Sequence, residues 1–307
     1  MKFKAILLHI TTLWYFLILL LSIFIITFCL ISQKNSRDTL PVASSAELKN
    51  GIQKDLNADG KTDIIFVTSN EGKYCISADI NNRNYILSPD ASIATLGREY
   101  PYWGLRLYVK DISRDGIPEI FIQSSQENIP VFHIFSWNGV EFKDYYCSNN
   151  NVAGILNSDN NKTPKVYSGK VVNGIFSFES YMLLGNSFKN KSFDDVNVPG
   201  KQAVIELIDA IESPETPGNL PDFFDSSSDK VNSSLLWKLE KNIYRYTFQD
   251  AFFIDDKWNK NGDIYSIKWQ INFKRRNIQT SKDDSFIVNA KVVLINNGYK
   301  VYSVSLY

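Results

Sequence analysis

Asp55-Leu56-Asn57-Ala58-Asp59-Gly60-Lys61-Thr62-Asp63, running directly into Ile64-Ile65-Phe66-Val67, is the stretch whose reading decides the fold. Acidic and amide side chains at alternate positions converge when a tight turn folds them inward. They then offer a hard cation such as calcium the roughly six to eight oxygens, at about 2.3–2.6 Å, that it requires. Gly60 supplies the turn. Asp55, Asn57 and Asp59 would give side-chain oxygens, Lys61 its backbone carbonyl, and Asp63 would close the site. The β-branched and aromatic run that follows is of strand type. An ordinary polar turn is the alternative reading, because Asp, Asn and Gly dominate turns for backbone reasons alone.

The arrangement returns 56 residues further on, as Asp111-Ile112-Ser113-Arg114-Asp115-Gly116-Ile117-Pro118-Glu119 leading into Ile120-Phe121-Ile122. Here the donors would be Asp111, Ser113, Asp115, the backbone carbonyl of Ile117, and Glu119. Lys54, Asp55, Asp59, Gly60, Ile64 and Ser69 all have identical counterparts at that offset. Such self-similarity marks a repeated supersecondary unit. A third copy is legible at Asn157-Ser158-Asp159-Asn160-Asn161-Lys162-Thr163-Pro164-Lys165, where lysines replace the glycine and the closing acid. An EF-hand is disfavoured, since both clear loops lead into strands instead of a helix.

These loops resemble those of FG-GAP or VCBS repeats, found in integrin-like β-propellers and many bacterial surface proteins. The resemblance covers about residues 48–185. It implies one structural calcium loop between strands of each four-stranded blade, with the donors named above. A closed propeller takes about four to eight blades, so an incomplete or irregular β-sheet array stands beside a ring as an expectation.

The chain is uncharged for 27 residues from Ala5 to Ile31. As a helix that run would be about 40 Å long, against the roughly 30 Å hydrocarbon core of a bilayer. A single transmembrane anchor over residues 1–34 is expected, followed by a polar linker over 35–47. A cleaved signal is disfavoured by the length of the run and by the absence of small residues at its end. Phe28 before Cys29 argues against lipidation. The short basic N-terminus places that end inside and the globular part outside the cell membrane.

Beyond a β-repeat domain at 48–193, residues 200–307 read as a second domain. Apolar residues at helical spacing run over 202–211, and a second helix is expected over 231–241. Strands follow near 244–254, 263–275, 285–296 and 299–306, with Asn296-Asn297-Gly298 as a hairpin turn. One or two helices followed by an antiparallel meander resembles a cystatin-like roll, as in the nuclear transport factor family. Fold class is therefore mainly β with an α+β part. Trp258, Tyr265, Trp269 and Phe273 are candidates for a concave pocket or for plain core, and Asp250, Asp255 and Asp256 read as a solvated acidic loop.

With 33 basic against 33 acidic residues, the chain lacks the positive field that nucleic acid demands. Cys75 and Cys147 are the cysteines outside the anchor, either bridged or buried separately. His9 lies in the anchor. His133, within Val131-Phe132-His133-Ile134-Phe135, is expected as a satisfied core or surface residue. No phosphate loop, nucleophile elbow or HExxH is present, so no enzymatic activity is expected. The expected function is a membrane-anchored binding or interaction module, with an envelope protein or glycan as partner. The alternative is an extracytoplasmic hydrolase or an accessory subunit of one, because paired acids need no fixed spacing.

Overall fold

Two-residue turns with left-handed backbone set the pairing of the first strands. Glu71-Gly72 (φ 52° and 75°), Asn81-Asn82 (52° and 62°) and Glu127-Asn128 (54° and 65°) each hold both central residues at positive φ. That twist matches the twist of the strands being joined. Two antiparallel four-stranded meanders result. The first is β1 (Ile52–Lys54), β2 (Asp63–Asn70), β3 (Lys73–Ile80) and β4 (Arg83–Ile86); the second is β5 (Arg106–Lys110), β6 (Glu119–Gln126), β7 (Ile129–Trp137) and β8 (Phe142–Ser148). The computed structural model describes residues 15, 17–21, 50–172, 175–185, 187–191, 196–226, 234–296 and 298–306.

A third meander, β9 (Val152–Leu156), β10 (Lys165–Val172), β11 (Ile175–Leu184) and β12 (Ser187–Asn190), does not end as a separate sheet. Its first strand pairs in parallel with β13 (Tyr244–Trp258), Val152 opposite Ala251 and Ile155 opposite Ile254. From β13 an antiparallel meander continues through β14 (Ile264–Asn277), β15 (Asp283–Ile295) and β16 (Gly298–Leu306), giving one eight-stranded sheet. The boundary expected between 193 and 200 therefore interrupts the sequence without separating two sheets. Residues Thr39–Tyr307 form one compact unit, and the other is Met1–Asp38. The third meander covers its β9 edge with a strand from the end of the chain, since an open edge is a row of unpaired backbone groups.

The sheets stack face to face. Ile65, Ile76 and Leu87 of the first meander meet Leu107, Ile120 and Phe135 of the second. On its other face the second meander presents Phe121, Phe132 and Ile134 to Ile155, Val166, Phe252 and Ile254 of the eight-stranded sheet. Helix α1 (Lys201–Glu212) covers the far side of that sheet, where Val204, Leu207 and Ile211 pack with Phe253, Trp269 and Val288. The carbonyls ending α1 are satisfied by Lys241, whose ammonium donates to Ala210 O (2.7 Å) and Ser213 O (2.7 Å); a cation there also suits the helix dipole. Successive residues of β13 point to opposite faces, so Ala251–Ile254 is buried from both sides. Gly154 lies under the Phe253 ring, and a Cβ there would sit 2.4 Å from it. Gly154→Ala is accordingly expected to destabilise by about 1–3 kcal/mol through overpacking; a urea midpoint equal to wild type would contradict this packing.

The architecture is mostly β, with open sheets. The helix expected over 202–211 and the four C-terminal strands are present with small shifts at their ends, and a short helix α2 (Ser234–Lys238) lies within the expected 231–241. The acidic cluster is not a solvated loop. β13 continues through Trp258, so Asp250 (2% exposed) and Asp255 (4%) are interior positions with partners. Asp256 pairs with Lys268 (3.0 Å) and Lys291 (2.9 Å). The linker over 35–47 lies outside the described residues, as does most of the expected anchor; residues 15 and 17–21 are helical. Among the described residues no helix is long and apolar enough to cross a membrane.

Candidate metal loops and a separate cleft

Each clear acidic loop joins the first two strands of its meander, and the two are built by the same hydrogen bonds. Asp55 Oδ2 accepts from Gly60 N at 2.9 Å and Asp111 Oδ2 from Gly116 N at 2.9 Å. Asp59 Oδ1 accepts from Lys61 N and Asp115 Oδ1 from Ile117 N, both at 2.8 Å. The closing acids turn beneath their loops: Asp63 Oδ2 takes Leu56 N at 2.9 Å and Glu119 Oε2 takes Ile112 N at 2.8 Å. Gly60 (φ 83°) and Gly116 (φ 92°) stand where the chain must pass through the left-handed region. At the remaining position the loops differ. Asn57 Oδ1 accepts from Asp59 N (3.1 Å), whereas the Ser113 hydroxyl donates to Asp111 Oδ1 (3.2 Å).

Electrostatically the loops are divided into a wet rim and a dry floor. Hydrogen bonds from Asn81, from the Lys61 amide and from Asn57 hold the exposed Asp59 below the usual carboxylate range. Burial pushes Asp63 up. Glu119, 1% exposed, is pushed up to about 7 by burial and then by the nearby Asp111 and Asp115. No lysine or arginine pairs with either closing acid among the described residues. The rim and floor acids of one loop are not gathered around a point. The one set of three or more His, Cys, Asp or Glu ligand atoms within 4.8 Å of one another, among the described residues, is His133, Asp144 and Cys147.

The third loop, between β9 and β10, is held by protein charge. Arg114 Nη2, reaching from the second loop, donates to the carbonyls of Asn157 (3.3 Å), Asn160 (2.7 Å) and Lys162 (2.9 Å). Lys110 pairs with Asp159. Lys165 replaces the closing acid here, and its role is taken from another strand: Asp255 of β13 accepts Ser158 N at 3.1 Å. Aligned with the other loops, Ser158 N is the counterpart of Leu56 N and Ile112 N. Sequence reasoning missed Asp255 because its partner lies about a hundred residues away in the chain.

No protein-family model matches the chain, and no curated protein matches it.

Trp269 and Phe273, two of the four aromatics considered for a pocket, are fully buried core under α1. Tyr265 is 43% exposed, and Trp258 donates its indole N–H to Asp255 at 2.6 Å. A cleft of about 460 Å³ lies beside the second and third loops, with Asp111 and Asp159 in its lining, and another lies away from them, about 470 Å³ between the β6–β7 turn and the starts of β9 and β13. Asn128, Asn149, Asn151, Gln249, Lys170 and Lys274 bring polar groups to it, over a floor that includes Trp103. Of its residues, none is acidic. Trp103 is fixed by donating to Asp250, which also pairs with the buried Arg106 of β5. Cys75 and Cys147 are free; Cys75 is exposed and Cys147 half-buried. The two do not bridge, and only Cys147 comes near the buried reading.

Proposed function

We propose that this chain is a calcium-stabilised binding module of the FG-GAP/VCBS kind, held at a bacterial cell membrane by residues 5–31 with its globular part outside. One observation carries the reading: two loops 56 residues apart share three hydrogen bonds and both bury a closing acid with no cationic partner among the described residues. A carboxylate in that position is unfavourable unless a cation joins it, and calcium is the cation that an all-oxygen donor set suits. Ligation needs the rim acids to be drawn toward the closing acid at the start of the following strand. Arg114 supplies positive charge to the third loop already, so two ions are expected, not three.

The cleft by the β6–β7 turn suits a glycan better than a hydrolytic substrate. Its amides offer paired donors and acceptors for sugar hydroxyls, and Lys170 and Lys274 favour an acidic sugar. Glycoside hydrolysis by two carboxyl groups has no acids there.

With free calcium at ten times the dissociation constant, each loop gains RT ln 11, about 1.4 kcal/mol. For a unit of this size each kcal/mol raises the melting temperature by about 2–4 °C. Calorimetry of the full chain in detergent, with calcium against chelator, is therefore expected to differ by several degrees. Equal melting temperatures would reject calcium as the stabilising ion.

A further inference from the structure

We propose that His133, Asp144 and Cys147 form a second metal site, selective for a zinc-class transition-metal ion and separate from the acidic loops. The three ligand atoms lie within 4.8 Å of one another. Tetrahedral zinc, with bonds of about 2.0–2.3 Å, separates its ligand atoms by roughly 3.3–3.7 Å, so the side chains need only small adjustments.

A β-bulge builds the cluster. His133 of β7 lies opposite Cys147 of β8, which puts both on one face. Asp144 is three residues from Cys147, and regular alternation would send it to the opposite face. The register shifts between Ile134 and Phe135, so that Phe135 lies opposite Asp144, and the carboxylate returns to the face of His133 and Cys147. The link between β4 and β5 covers them: Asp90 N donates to Asp144 Oδ2 at 2.9 Å, and Ser92 Oγ is 3.1 Å from Cys147 Sγ.

Two features point to a ligand instead of a plain buried pair. His133, fully buried, has Nε2 2.9 Å from the Thr95 carbonyl. A backbone carbonyl there holds the Nε2 hydrogen, the support that ligating histidines generally have, and an ion at Nδ1 would take the place of the proton shared with Asp144. Asp144 Oδ2 is 2.6 Å from that Nδ1, while Oδ1 is buried without a hydrogen-bond partner and the side chain is only 3% exposed. Such an orphan oxygen is accounted for by an ion. With Nε2 engaged and the ring enclosed, His133 does not serve as a base toward the thiol. Thiolate with imidazole selects zinc over calcium. The exposed Ser92 marks the side from which an ion enters.

The full chain in detergent, stripped with chelator and titrated with Co²⁺, tests this. One equivalent is expected to bring up a thiolate-to-cobalt charge-transfer band that Zn²⁺ abolishes and Ca²⁺ leaves intact. The band should vanish in Cys147→Ser and persist in Cys75→Ser. Without any variant, Zn²⁺ should slow alkylation of Cys147 at least tenfold, read by peptide mass, and leave Cys75 unaffected. Absence of the charge-transfer band, its survival in Cys147→Ser, or alkylation rates that zinc does not change would each overturn the site. The calcium loops share no ligand with it, so either reading can fail alone.

Discussion

Asp250→Ala is expected to destabilise the protein by about 3–5 kcal/mol, the range found when one partner of a buried ion pair is removed. Arg106 and Asp250 have side chains 9% and 3% exposed. The pair joins β5 of the second meander to β13 of the eight-stranded sheet. Burial alone pulls the Arg106 guanidinium down to about 9, so it stays charged at neutral pH, and alanine at 250 would leave that charge, among the described residues, with Gln270 Oε1 at 3.4 Å. Trp103 would lose its acceptor as well. The double variant Arg106→Met, Asp250→Leu should recover most of the loss, because apolar replacements of a buried pair are often neutral. Urea unfolding of the three proteins measures this, and an Asp250→Ala loss below about 1 kcal/mol would mean the pair behaves as a surface contact.

Glu119→Gln should change stability in opposite directions with and without calcium. The folded protein holds the Glu119 proton up to about pH 7, against about 4.3 in an unfolded chain. Because the folded value is the raised one, the stability this group contributes is complete below about pH 4.3 and is lost as pH rises through about 7. The loss is at most about 4 kcal/mol. In chelator, glutamine keeps an acceptor for Ile112 N without the charge, so the variant should exceed wild type at pH 8 and match it near pH 4. In calcium the order should reverse, since the variant lacks the closing carboxylate. If the variant stays above wild type in saturating calcium, Glu119 is not a ligand.

The features legible in the sequence are the ones set by near neighbours. Alternate acids around Gly60 and Gly116 gave the two loops, and helical spacing from Ala203 to Ile211 gave α1, because turn chemistry and periodicity act within a few residues. The strands after each loop were visible in runs such as Ile120-Phe121-Ile122. What stayed hidden depends on pairing between distant segments. Nothing in Val152–Leu156 says that its partner is Ala251–Ile254. With that pairing unread, Asp250 and Asp255 looked like loop acids. The bulge beside Ile134 likewise has no local signature, and it alone brings Asp144 alongside His133 and Cys147. Among the site residues, the order of acids and amides around each loop glycine was readable. Which of their oxygens are occupied by the loop's own amides was not.

The parallel pairing of β9 with β13 has a consequence for synthesis. At about 5–20 residues per second, a ribosome takes several seconds to pass from Val152 to Ala251, and throughout that interval β9 has no neighbour on its outer side. The first two meanders are closed by their own turns and are complete by Ser148, so they can form while the remainder is still emerging. A nascent chain should therefore be most vulnerable to proteases and to edge-to-edge association from the emergence of Val152 until β13 has left the ribosome, and a stall late enough to free Trp258 should remove that vulnerability.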